Sequence, residues 1–320
     1  MLNVFFTVDV EIWCGGWHDI DARFPRAFQQ YVYGKTPQGE FGLRYKLKQL
    51  KDRGLLGVFF VEPLFATRFG LDPLVEIIGL IREYGHEVQE HLHTEWVSES
   101  TEPLIALAKP KRQFLRQFSL QEQITLIGAG KRLIERAGGG VVNAFRAGSF
   151  GFNRETLSAI AANQIAYDSS YNASMLGPDS GVMPGQAIFE PIECDGVIEY
   201  PMTVFDDGTG ELRHVQLGAC SSRELEGLLW QALETGRKSF MILSHNFELL
   251  NTSRDRADLT MVKRFDELCR FLDANREHFR TSGFHDLAPD IVSQQPLVLT
   301  SPLWKTGHRM VQQAMRRRYG

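Results

Sequence analysis

The sequence predicts an α/β fold in which parallel strands close into a barrel. Strand-like and helix-like patterns alternate along most of the chain, with seven candidate strands and six candidate helices. Three long insertions follow strand C-termini, the end at which such a barrel keeps its active site.

The first strand, 2–9, is a β-branched and aromatic run (LNVFFTV) that ends in acids. The others are 56–62 (LGVFFVE), 86–93, 142–147 (VNAFRA), 165–170, 197–204 (VIEYPMTV) and 239–245 (SFMILSH). Helical periodicity occupies 41–53, 73–84, 120–137, 153–163, 222–235 and 257–274. Gly54 closes the first helix, Pro73 after Asp72 opens the second, and Ser119 with Glu122 has capping-box spacing. The insertions are 12–40, 94–118 and 172–196; the first is rich in glycine, aromatics and charge, and predicts a lid or substrate wall. Residues 1–290 therefore read as one barrel domain and 291–320 as a basic tail or helix.

Composition narrows the function. A chain of 320 residues with 43% hydrophobic content can bury a large core. A net charge of −4 and a pI near 6.2 argue against nucleic acid as a partner. Cys14, Cys194, Cys220 and Cys269 are scattered, without a C-x-x-C pair, as a reducing compartment permits. The first strand follows Met1 at once, leaving no signal-peptide pattern, and no apolar run has the length of a spanning helix. The expected location is cytoplasmic. After Asp290 there is no acid, and the tail carries Lys305, Arg309, Arg316, Arg317 and Arg318 among Met310, Val311, Ala314 and Met315. A docked or solvated helix is the first expectation, and peripheral contact with an anionic membrane the second.

The segment GHEVQEHLHTEW, 85–96, carries the chemistry. On a strand, residues two apart share a face, so His91, His93 and Glu95 project together. Imidazole and carboxylate donors suit zinc or a similar divalent ion. Asp9 and Glu11 are also two apart, at the end of the first strand, and two crowded acids repel unless a cation lies between them. Arg146 in FRAGSFGFN and His245 in MILSHNFE stand at further strand ends, with Gly148 and Gly151 permitting close backbone approach. Arginine offers a planar charged fork for a carboxylate, and histidine a proton exchangeable near neutral pH. Trp13, Trp17, Tyr31, Tyr33 and Trp96 lie in the insertions, where they either stack on a sugar or anchor their own loop.

The order TVDVE, GHEVQEHLHTE, FRAG, YDSSY, IEYP and LSHN, from about residue 3 to 288, resembles the polysaccharide deacetylase superfamily, which contains carbohydrate esterase family 4. The resemblance implies a distorted (β/α)7 TIM-like barrel of parallel strands and a divalent metal, commonly zinc. It implies Asp9 as base, Glu11 and His91 as metal ligands, Arg146 as the residue orienting Asp9, and His245 as general acid. The usual second ligand histidine, four residues after the first, is replaced here by Glu95, so either Glu95 ligates or His93 takes the place. The implied activity is removal of an N-acetyl or related acyl group from a sugar. Taken with a cytoplasmic location, the substrate is expected to be a nucleotide sugar or lipid-linked glycan of a bacterial surface polysaccharide such as lipopolysaccharide. The missing histidine keeps open a metal-independent amidohydrolase acting on a cyclic amide. A glycan-binding barrel without catalysis is a further alternative.

Overall fold

A computed structural model describes residues 1–319. Its principal elements are β1 (Leu2–Val10), α1 (Leu43–Asp52), β2 (Gly57–Val61), α2 (Asp72–Glu83), β3 (Glu87–Leu92), α3 (Leu120–Arg136), β4 (Ala144–Ala147), α4 (Arg154–Ala162), β5 (Tyr167–Asp168), β6 (Val197–Glu199), α5 (Ser222–Glu234), β7 (Ser239–His245), α6 (Leu259–Ala274) and α7 (Leu303–Tyr319). The chain divides into two compact units, one formed by 1–57, 203–282 and 297 onward, the other by 58–202 and 283–296.

In the first unit β1 pairs in parallel with β7, from Asn3 opposite Ser239 to Asp9 opposite His245. A short strand, Phe279–Thr281, also runs parallel to β1. Val4, Phe5, Phe6 and Val8 are all buried, so β1 is apolar on both faces, as a covered parallel strand requires. The helix α1 buries Leu43, Lys46, Leu47 and Leu50, the i, i+3, i+4, i+7 face of an amphipathic helix with a lysine set into it.

The insertion after β1 is more ordered than a bare loop. It contains a helix, Ile20–Phe28, and a small hairpin, Lys35–Thr36 against Gly39–Glu40. Ile20, Phe24, Ala27, Phe28, Tyr31 and Val32 are buried, which holds the insertion down by its own apolar residues.

The second unit carries the parallel series β2–β3–β4–β5–β6, followed by an antiparallel strand at Ile192–Cys194. The register sets His91 opposite Arg146 and Leu92 opposite Ala147. The capping box forms as expected, with the Ser119 amide donating to Glu122 Oε2 (2.9 Å) and the Glu122 amide to Ser119 Oγ (3.4 Å).

The strand expected over 197–204 is interrupted. It ends at Glu199, and Val204–Asp206 forms a separate strand, antiparallel to Leu212–His214. Pro201 supplies the reason, having no amide hydrogen to give a ladder.

The basic tail forms the helix α7. Its Arg309 points inward, buried, with Nη2 on Asp207 Oδ2 (2.8 Å) and Nε on Glu224 Oε1 (3.0 Å). Burial pushes the Asp207 carboxyl up, but hydrogen bonds from Thr209 and Arg213, with the Arg213 charge, hold it down at about 2. The side chains of 314–320, including Arg316, Arg317 and Arg318, lie outside the described residues. No helix among the described residues is long and apolar enough to cross a membrane.

Candidate functional site

The parallel register of β1 and β7 places Asp9 and His245 side by side at the strand ends. Glu11 follows on the same face, and Asp9, Glu11 and His245 each offer a ligand atom within 4.8 Å of the others. Three such donors, two of them acids, in a largely buried place form a local negative site that favours a cation or a proton.

The position of Glu11 is held from three directions. Asn246 accepts a hydrogen bond from the Glu11 amide (3.1 Å) and donates to its carbonyl (3.1 Å). The indole Nε1 of Trp13 donates to Glu11 Oε2 (2.7 Å). Asn246 also donates to the Tyr31 carbonyl (2.7 Å), which ties the insertion to the end of β7. Tyr31 is anchored rather than free to stack on a sugar: its ring meets Phe247 edge-on at 5.0 Å and carries the Arg254 guanidinium at 4.2 Å. Trp13 and Trp17 pack edge to face at 5.9 Å and are half-buried beside Glu11.

Behind His245 lies a polar layer that the sequence reading missed. Gln216 donates to Glu248 Oε1 (2.8 Å), and because a carboxylate only accepts, its amide nitrogen is the atom that also faces His245 Nδ1 (3.4 Å). His245 Nε2 therefore carries the proton and points towards Glu11 Oε1 (3.8 Å). His214 Nε2 completes the orientation by bonding Gln216 Oε1 (3.1 Å). Ser244 Oγ donates to Glu248 Oε2 (2.7 Å), and Lys46 Nζ bonds Ser244 Oγ. Burial pulls the Lys46 ammonium down to about 8, although Glu248 opposes this. Burial works against the Glu248 carboxylate too, yet Lys46, then His245, Ser244 and Gln216, hold it below the usual range. The available signal was Lys46, a lone lysine on the apolar face of α1.

In the second unit, His91 and His93 leave the end of β3 with their rings 4.8 Å apart and nearly perpendicular. His91 Nδ1 bonds the Arg146 carbonyl (2.9 Å), and His93 Nδ1 faces Glu95 Oε2 (3.3 Å). Acceptors at both Nδ1 atoms place the ring proton there, so each Nε2 is the lone-pair nitrogen that a metal requires. Glu95 is thus the hydrogen-bond partner of His93.

Gly148 makes room for this ring, since a Cβ there would lie 2.7 Å from His93 Nδ1 and 2.8 Å from the Leu92 carbonyl. Gly151 does the same for Phe114. Arg146 is fully buried, its Nε and Nη2 bonded to the Ser169 carbonyl (3.2 Å) and hydroxyl (3.1 Å), with its guanidinium 4.2 Å above the Phe60 ring. Trp96 is a buried anchor against Phe65 and Phe69, and offers no face to a sugar.

The structure thus brings Asp9, Glu11 and His245 together in one unit. In the other it brings together His91, His93, Glu95 and the backbone of Arg146.

No protein-family model matches the sequence, and no curated protein matches it. Solved structures do. One is a protein from Mycobacterium smegmatis assigned to the polysaccharide deacetylases, 19% identical, with a TM-score of 0.53, covering 92% of this chain and 95% of that one. A family 4 carbohydrate esterase from Streptomyces lividans, in complex with acetate, is 13% identical over 88% of this chain and 91% of that one, with a TM-score of 0.42. A family 4 pseudoenzyme from Bacillus anthracis is 12% identical over 87% and 66%, also with a TM-score of 0.42.

Proposed function

The fold is that of the polysaccharide deacetylases, the distorted (β/α)7 barrel of parallel strands expected from the motifs; from that premise we propose that the chain is a metal-dependent hydrolase that removes an N-acetyl or related acyl group from a sugar. The observation that carries the proposal is the register that pairs Asp9 with His245, with Glu11 beside them. A proton acceptor and a proton donor at adjacent strand ends are what amide hydrolysis requires.

Glu11, His91 and His93 would hold a divalent ion, with zinc the best match to two imidazoles and a carboxylate. The donor set fits, because Nδ1 of each histidine is already engaged by an acceptor and Glu11 is fixed by Asn246 and Trp13. Glu95 acts through His93, orienting the ring that takes the place of the usual second histidine. The bound ion supplies Lewis acidity, polarising the acyl oxygen and making water a stronger acid.

Asp9, oriented by Arg146, accepts the proton of the water whose oxygen bonds to the acyl carbon. His245 serves as general acid in its doubly protonated form, giving its Nε2 proton to the nitrogen as the C–N bond breaks and leaving a neutral ring, with acetate and the amine released. In the neutral ring Gln216 favours the proton on Nε2. Trp13 and Trp17 offer apolar ring faces to the sugar. The acylated sugar assigned here is a nucleotide sugar or lipid-linked glycan.

The test is acetate release from a panel of N-acetylated sugars, O-acetylated sugars and cyclic amides. Release from an N-acetylated sugar that stops on chelation is the expected result. Chelator-resistant opening of a cyclic amide would replace the proposal with a metal-independent amidohydrolase. Sugar retention without turnover across the panel would make the protein a binding barrel.

Gly148→Ala is expected to push the His93 ring out of place and to weaken metal binding by about 10–100-fold. Competition with a zinc indicator measures this, and an unchanged affinity would show that His93 does not depend on Gly148 for its position.

A further inference from the structure

The C-terminal helix is amphipathic in the reverse of the usual sense. Its polar residues face the body of the first unit: Thr306 Oγ1 bonds the Asp207 carbonyl, and Arg309 is buried between Asp207 and Glu224. Its apolar residues face outward, with Leu303 62%, Trp304 60%, Met310 53% and Val311 57% exposed. These positions, spaced i, i+1, i+7 and i+8, form one stripe, and the sequence extends the spacing with Ala314 and Met315. Leu259, 69% exposed at the start of α6, lines a cleft together with His308 and Gln312 of α7 and adds to this apolar rim.

An outward stripe of this kind on a helix with an inward anchor needs a partner. Charge identifies which. Apart from Arg309, which Asp207 and Glu224 already neutralise, the sequence of 291–320 carries Lys305, Arg316, Arg317 and Arg318 and no acid, in a chain whose net charge is −4. A two-fold contact of the helix with its own copy would set these cations against each other, whereas an anionic lipid surface attracts them and takes up the apolar side chains. Trp304, at the start of the helix, is a residue type that favours the level of lipid headgroups. We propose that α7 is a docking surface for an anionic bilayer, lying in the plane of the interface with Leu303, Trp304, Met310 and Val311 towards the acyl chains. The inference stands apart from the hydrolase reading and is measured without activity.

The experiment is co-sedimentation of the full chain with vesicles of phosphatidylcholine alone and of phosphatidylcholine mixed with phosphatidylglycerol, at low and physiological salt. Binding to the mixed vesicles at least ~10-fold above the neutral ones, falling as salt screens the charges, is expected. Trp304→Glu/Val311→Glu should abolish it and the milder Met310→Gln/Val311→Gln should weaken it. Circular dichroism reports whether each variant is folded. Absence of binding to either vesicle, or unchanged binding by both variants, would overturn the proposal. A wild-type dimer in light scattering that becomes a monomer in these variants would assign the stripe to a second copy instead.

Discussion

Asp9→Asn is expected to lower acetate release by about 10²–10⁴-fold, the usual worth of one general-base group. Asparagine keeps the shape of the side chain but cannot take the proton of the attacking water. Asp9 lies at the end of β1, whose pairing with β7 runs unbroken from Asn3 to His245, so the substitution leaves a buried, fully paired strand in place. The fold and the bound metal should therefore survive, since the proposed ligands are other residues. Single-turnover kinetics together with metal content and a thermal melt separates the outcomes. Loss of rate with metal and melting temperature retained supports Asp9 as the base. A rate close to that of the wild type removes Asp9 from the mechanism, and loss of metal as well would make it a ligand.

The second large effect separates His93 from Glu95. His93→Ala is expected to abolish stoichiometric metal binding, because it removes one of three donors. Glu95→Gln is expected to reduce affinity by only about 10–100-fold, the usual effect of losing the partner of a ligating histidine. The basis is the 3.3 Å contact between Glu95 Oε2 and His93 Nδ1, which commits that carboxylate oxygen to orienting the ring. Metal titration of both variants is the measurement. The reverse ranking, with Glu95→Gln losing the metal and His93→Ala keeping it, would make the site carboxylate-rich and Glu95 the ligand.

How much of this was legible in the sequence differed from element to element. The strands β1 and β7 read as continuous apolar runs because both of their faces are covered, and β7 has the expected bounds, Ser239–His245. The helices α1 to α6 followed from 3.6-residue periodicity and caps, with boundaries shifted by two residues or fewer. The strand expected over 197–204 was misread because the apolar pattern continues through Pro201, and pattern alone does not count amide hydrogens. The helix Ile20–Phe28 went unread because Pro25 stands inside it and glycines precede it.

At the site, residue types at strand ends were legible, since each lies beside a run that fixes its place. The layer behind His245 was not. Gln216 and Glu248 stand 29 and 3 residues from His245, and only folding brings Lys46 to Ser244 across 198 positions. The inward turn of Arg309 was also hidden, because a basic residue on a basic helix gives no sign that two buried acids await it.

The account rests most heavily on a metal-assisted attack on an acyl group, and one titration tests it directly. Protein stripped of metal is assayed for acetate release from an N-acetylated sugar as zinc is added back. The expected result is no release from the stripped protein and a rate that rises in proportion to zinc, levelling off at one equivalent per chain. Release that is already complete in the stripped protein, or that never appears at any zinc level on any N-acetylated sugar, would contradict the account.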